Sequence, residues 1–198
     1  LDAARRELVW KDIRTFFRDT TQWSQLILLA VLVVVYVYNI RALPLYRGER
    51  VSFFLLNLVA FLNLGLAGFV LAAIAARFLF PAVSLEGPTM WLLRSSPLRA
   101  RDLVWVKYWT GAVPLLVLGC GLTAVTNALL RVSPFLFVVS VVTVAALTCA
   151  LAAMALAAGA VYPQFNAENA AQIPTSFGGL AFMMGAVALL GAVLTLEA

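Results

Sequence analysis

The residues that could do chemistry gather in two short stretches between long apolar runs. The first begins at Glu86 and reads EGPTMWLLRSSPLRARDLVWVK, and the second reads FNAEN. In the second, Asn166 can cap a turn that contains Glu168 and Asn169, but one acid and two amides are too few for a catalytic or metal site. The chain has no histidine, which excludes Ser-His-Asp catalysis and histidine-ligated metals. We therefore predict no catalytic residue, no metal and no bound cofactor.

Phosphate-binding chemistry is not indicated either. No glycine in the chain is followed by Lys-Ser or Lys-Thr, the end of the loop that holds nucleotide phosphates in P-loop proteins. The sequence thus predicts that the chain is not an ATPase of this type and is not an enzyme.

The first stretch has the features of a short helix at a membrane surface. Pro88 suits a first helical position, so we predict a helix over 89–94. Glu86 precedes it, where a carboxylate is favoured by the helix dipole and by unpaired backbone donors. Trp91 and Leu92 give the helix an apolar face that a partner could bind.

These stretches are positioned by membrane-spanning helices. The chain is 64% hydrophobic and 12% charged, with a mean hydropathy of +0.99, far from the soluble average. Runs such as LILLAVLVVVYV lack the alternation of barrel strands. We predict an all-α, polytopic membrane helix bundle with about five transmembrane helices, near 22–42, 51–76, 103–130, 135–161 and 177–196.

Residues 1–20 predict an amphipathic helix that lies on the membrane. Val9, Trp10, Ile13, Phe16 and Phe17 recur at helical spacing, while charged residues recur on another face. We therefore divide the chain into an interfacial helix, 1–20, and a transmembrane domain, 21–198, with a loop at 77–102.

Basic residues predict the orientation. Ten lie on the side of the N-terminus and four on the other side, so the N-terminus and both polar stretches should be cytoplasmic. Arg47 and Arg131 should then face outward. The net charge of +5 reflects this orientation and contact with membrane lipids, because no segment alternates basic and aromatic residues as nucleic-acid grooves do.

Small and polar residues predict where the helices pack. Stripes at four-residue steps let backbones approach closely; they comprise Ala145, Cys149, Ala153 and Ala157; Gly119, Thr123 and Asn127; and Ala181, Gly185, Ala188 and Ala192.

The first polar stretch resembles the cytoplasmic coupling loop of type-2 ATP-binding-cassette (ABC) transporter permeases, with an acid, a leucine-rich short helix, Ser-Pro and a lysine entering the next span. The stretches KDIRTFFRDTTQWSQ, YVYNIRALP and YPQFNAENAAQIPTSFGG resemble a subfamily of large ABC exporter permeases. The resemblance implies an internal portion of a longer permease and seven coupling residues, namely Glu86, Gly87, Trp91, Leu92, Arg94, Pro97 and Lys107. It also implies a separate cytoplasmic ATPase subunit that binds ATP, and a homodimer or pseudo-dimer of permease units in the cell membrane.

We therefore expect the membrane permease of an ABC exporter. Two other classes stay open: a membrane enzyme that acts on lipid intermediates, for which only Glu86 and Glu168 are candidate acids, and a non-transporting membrane scaffold. Copurification with an ATPase subunit would separate the first class from the others.

Overall fold

The computed structural model of the protein describes residues 3–18, 27, 30, 31, 33–35, 37, 38, 53–89, 95, 99–130, 132–165 and 170–197. Its described α-helices are α1 (Ala3–Arg18), α2 (Phe53–Phe78), α3 (Ala100–Leu129), α4 (Pro134–Val161) and α5 (Phe177–Glu197). Three 3-10 helices cover Phe80–Ala82, Ser84–Thr89 and Ala170–Thr175. No described residue belongs to a strand, so the all-α prediction is confirmed for this part of the chain.

Among the described residues, four helical stretches have the length and apolar composition needed to cross a membrane. They are Leu62–Gly87, Arg101–Leu129, Pro134–Val161 and Phe177–Leu196, each at least as long as the roughly 20 residues that span the hydrocarbon layer. Most of the predicted span at 22–42 lies outside the described residues, although Ile27 and Val33–Val35 within it are helical. These stretches are compatible with a membrane location.

The core lies where α2, α3, α4 and α5 meet. Leu71, Leu151 and Phe182 are fully buried there, together with Phe80 from the turn that follows α2. The rings of Phe80 and Phe182 stack with their centroids 6.5 Å apart. The turn after α2 is therefore held by the same apolar core as the long helices.

A short connection joins α3 to α4. Ser133 caps α4 by accepting a hydrogen bond from the Leu136 amide at 3.5 Å, and Pro134 occupies the first helical position. Such a short link makes α3 and α4 neighbours, and these two helices share the most extensive contact of the described elements.

The turn after α2 approaches α4 at a glycine. A Cβ atom added to Gly159 would lie 2.1 Å from the Phe80 carbonyl oxygen, a distance that no side chain tolerates. Gly159 thus permits the contact between α4 and this turn, and through it the placement of the segment that carries Glu86.

The packing face of α4 differs from the predicted stripe. The buried residues are Val144, Leu147, Thr148, Leu151, Ala152, Ala155, Leu156 and Gly159, whereas Ala153 and Ala157 are exposed. Leucine side chains gain more dispersion contact in the core than alanines do, so the leucine-rich face turns inward. On α3 the predicted face is buried, with Gly119, Thr123 and Asn127 all inside.

Candidate functional site

Four charged side chains from three elements meet beside the end of α2. Lys11 and Asp12 come from α1, Glu86 from the Ser84–Thr89 turn, and Lys107 from the start of α3. The Lys11 ammonium lies 2.8 Å from both carboxylate oxygens of Glu86, and the Lys107 ammonium lies 2.9 Å from an Asp12 oxygen and also contacts Glu86. Lys11 and Asp12 are 3.6 Å apart. We call these four residues the ionic cluster.

The ionic cluster is largely shielded from solvent and electrically balanced. The exposed fractions of the side chains are 7% for Glu86, 11% for Lys107, 14% for Asp12 and 40% for Lys11. A buried charge is costly unless a partner of opposite sign and hydrogen bonds compensate it. Two ammonium groups and two carboxylates satisfy that condition together, so removal of any one leaves a net charge in a poorly solvated place.

The helical register of α1 brings the cluster together. Leu8, Asp12 and Phe16 follow one another at four-residue steps, so they lie on one face of the helix. Leu8 is buried, and the Phe16 ring packs 6.1 Å from the ring of Phe78. These contacts above and below Asp12 hold the charged residues of α1 against the bundle.

The opposite side of α1 keeps its large apolar residues exposed. Trp10, Ile13 and Phe17 are all exposed, and the Arg14 guanidinium lies 5.7 Å from the Trp10 ring centre. Exposed aromatic residues beside basic ones are typical of a helix that rests on a membrane surface. The predicted apolar face of α1 is therefore divided, because Phe16 packs against the bundle whereas Trp10, Ile13 and Phe17 are exposed.

The turn that carries Glu86 also contacts the chain after α4. The Gln164 amide donates a hydrogen bond to the buried Ser84 hydroxyl at 3.0 Å. A Cβ atom at Gly87 would lie 3.0 Å from the Phe165 ring and 3.2 Å from its Cα atom. The structure thus brings the two polar stretches of the sequence together, with Gly87 allowing the close approach.

The predicted site residues have different outcomes. Glu86, Gly87 and Lys107 lie together as described, whereas Trp91, Leu92, Arg94 and Pro97 of the first stretch, and Asn166, Glu168 and Asn169 of the second, lie outside the described residues. No described residues form a group of three possible metal ligands. A coupling role for these residues stays a prediction, as does the expected lack of a cofactor.

The structure describes only the beginning of the first stretch. A 3-10 helix covers Ser84–Thr89 there, so the chain is already helical before Pro88. The helix predicted over 89–94 lies, apart from Thr89, outside the described residues. Within the 3-10 helix, Glu86 is buried and paired with Lys11 and Lys107.

Sequence reasoning missed Lys11, which belongs to the charged face predicted for α1, and Asp12, which it did not single out. A signal was present, because Leu8 and Phe16 lie one turn before and one turn after Asp12 on the same face. That spacing indicates an apolar stripe interrupted by one acid, which needs a buried partner of opposite charge.

Comparison with known proteins gives one match. A family described as "Putative ATP-binding cassette" matches residues 1–198, the whole chain. No curated protein and no solved structure matches.

The family description corrects several predictions. It names an ATP-binding cassette, the nucleotide-binding component of ABC transport, and not a permease. The predicted exporter permease is therefore wrong, and so are the separate ATPase subunit and the permease dimer, which depended on it. The assignment as a non-enzyme, which depended on the missing phosphate-binding loop pattern, is wrong as well. Hydropathy and loop patterns report how a chain sits in a membrane, and they do not decide which component of a transporter it is. Because the match covers every residue, the chain belongs to this ATP-binding cassette family.

Proposed function

We propose that this chain works in ABC transport as a membrane-embedded helical unit, and that the ionic cluster holds α1, the Ser84–Thr89 turn and α3 together as one body during the ATP-driven cycle. Support for the ABC system comes from the family match. Support for the membrane-embedded unit comes from the four long apolar helical stretches.

The observation that carries the proposal is the pairing of buried Glu86 with Lys11 and Lys107. A surface ion pair contributes little to stability and is easily lost, whereas these groups are shielded and shared among three elements. A displacement of α1 would expose a charged group or leave it buried without its partner, so α1 and the start of α3 should move together. The hydrogen bond from Gln164 to Ser84 extends the same body to the chain after α4.

We further propose that this body lies on the cytoplasmic side. The count of ten basic residues against four supports that orientation. The exposed Trp10, Ile13 and Phe17 of α1 would then rest on the inner surface of the membrane.

The test is the variant Glu86→Gln in the full-length protein reconstituted in liposomes, with ATP hydrolysis as the readout. The amide keeps the shape of the side chain and removes its charge, so both lysines lose a partner. We expect hydrolysis to fall by about tenfold or more, which corresponds to about 1.4 kcal/mol in the activation barrier, while the protein remains inserted and helical.

Glu7→Gln is the matched control, because Glu7 is an exposed acid on the same helix whose contact with Arg6 is 3.8 Å long. It should retain normal hydrolysis. Normal hydrolysis in a correctly folded Glu86→Gln protein would refute the role proposed for the ionic cluster.

A further inference from the structure

A cavity of about 640 Å³ lies between α1 and the bundle. It is bordered by α1, the end of α2, the turns that follow α2, and the first half of α3. Its volume is in the range of sites that bind small molecules, roughly 300–1,000 Å³. Nothing in the proposed role of the ionic cluster requires such a space.

Most of the cavity lining is apolar. Phe16 from α1, Phe78 from the end of α2 with the following Leu79, and Leu115 and Leu118 from α3 line it. Hydrocarbon is favoured over water in such surroundings. The cavity therefore suits an aliphatic chain better than a polar solute.

Another part of the lining is charged. It includes all four residues of the ionic cluster and Arg77 from the last turn of α2. The ionic cluster is neutral as a whole, whereas Arg77 is exposed and makes no ion pair with any described residue. Among the described residues, the lining thus carries one exposed and unbalanced positive charge, at Arg77, in addition to its apolar side chains.

The side of the cavity formed by α1 faces the surface that suits a membrane. Ile13 and Phe17 line the cavity and are also exposed. A groove on the outer side of α1 shares Lys11 with the cavity and adds Arg14 and Arg18, against the single acid Glu7. An amphiphile that reaches the cavity would therefore meet both an exposed positive charge, at Arg77, and apolar side chains.

From this arrangement we propose that the cavity binds one acyl chain of an anionic membrane phospholipid, with the phosphate group of the lipid beside Arg77. The apolar lining accounts for binding of the acyl chain, and the unbalanced charge of Arg77 accounts for the preference for an anionic headgroup. The lipid would fill the space between α1 and the bundle and so support the contact made by the ionic cluster.

The experiment uses the full-length protein in nanodiscs that contain equal amounts of phosphatidylglycerol and phosphatidylcholine. After transfer to detergent, native mass spectrometry counts the lipids that stay bound. We expect one retained lipid, with phosphatidylglycerol favoured about fivefold, the effect of one basic residue near an anionic group. Arg77→Gln should remove the preference, whereas Arg101→Gln, an exposed arginine that does not line the cavity, should keep it.

A second pair of variants tests the cavity itself. Ala82 lines the cavity, so Ala82→Phe should fill the space and abolish retention of both lipids, while Ala157→Phe on the exposed face of α4 should not. Equal retention of the two lipids by the unmodified protein, or an unchanged preference in Arg77→Gln, would overturn the proposal. Displacement of phosphatidylglycerol by free oleate at equal concentration would also overturn it, because the occupant would then be a free fatty acid.

Discussion

The sharpest prediction concerns the energetic coupling of Glu86 and Lys107. In Glu86→Gln, the Lys107 ammonium keeps its ion pair with the Asp12 carboxylate, 2.9 Å away. The Lys11 ammonium keeps its longer contact with Asp12, at 3.6 Å, and is also partly exposed to solvent. Breaking a fully buried ion pair costs about 3–5 kcal/mol, so this partly relieved change should cost about 2 kcal/mol in the free energy of unfolding. In Lys107→Met, two shielded carboxylates lose a lysine that contacts both of them, and the cost should reach about 3–5 kcal/mol.

The double variant removes one charge of each sign and leaves Lys11 beside Asp12. It should lose less stability than the sum of the two single variants, with a coupling energy of about 1–3 kcal/mol. Unfolding by sodium dodecyl sulfate in mixed micelles, followed by tryptophan fluorescence, measures all four proteins. The exposed pair Arg6 and Glu7 serves as the control cycle and should be additive. Additivity within about 0.5 kcal/mol at the ionic cluster would refute the shielded, shared pairing.

The remaining predictions concern packing and orientation. Gly159→Ala should destabilise the protein strongly in the same unfolding assay, because the added Cβ atom would meet the Phe80 carbonyl oxygen. Gly121→Ala is the control and should not destabilise it, because Gly121 has open space around it. Equal effects of the two variants would contradict the packing of the turn on α4. Orientation can be tested with single cysteines in a protein without its natural cysteines. Leu85 is exposed, so Leu85→Cys should react with a membrane-impermeant maleimide only from the cytoplasmic side, and Val132→Cys should react only from outside. The reverse pattern would overturn the orientation.

The helices α3, α4 and α5 show which features could be predicted from the sequence alone. Long uncharged apolar runs predict helices, because a helix satisfies the hydrogen bonds of its backbone groups where water is absent. The helical fold class and the positions of α3, α4 and α5 therefore followed from composition and length. Which face of a helix is buried did not follow for α4. Its predicted stripe of small residues is one residue away from the buried face. An almost uniformly apolar helix has little polar–apolar periodicity that could indicate which face is buried.

The ionic cluster was decided by tertiary structure. The sequence identified Glu86 and Lys107 as residues of interest, but their partners Lys11 and Asp12 lie 75 and 95 positions away along the chain. Local patterns report only neighbours on the same element, so they cannot show that α1 folds back onto the turn after α2. The sequence by itself determined an all-helical chain whose long apolar helices are compatible with a membrane location, with two polar stretches between them. Only the packing of α1 beside the end of α2 brought four separated charges into one shielded site, and only there does each charge find the partners that make its burial tolerable.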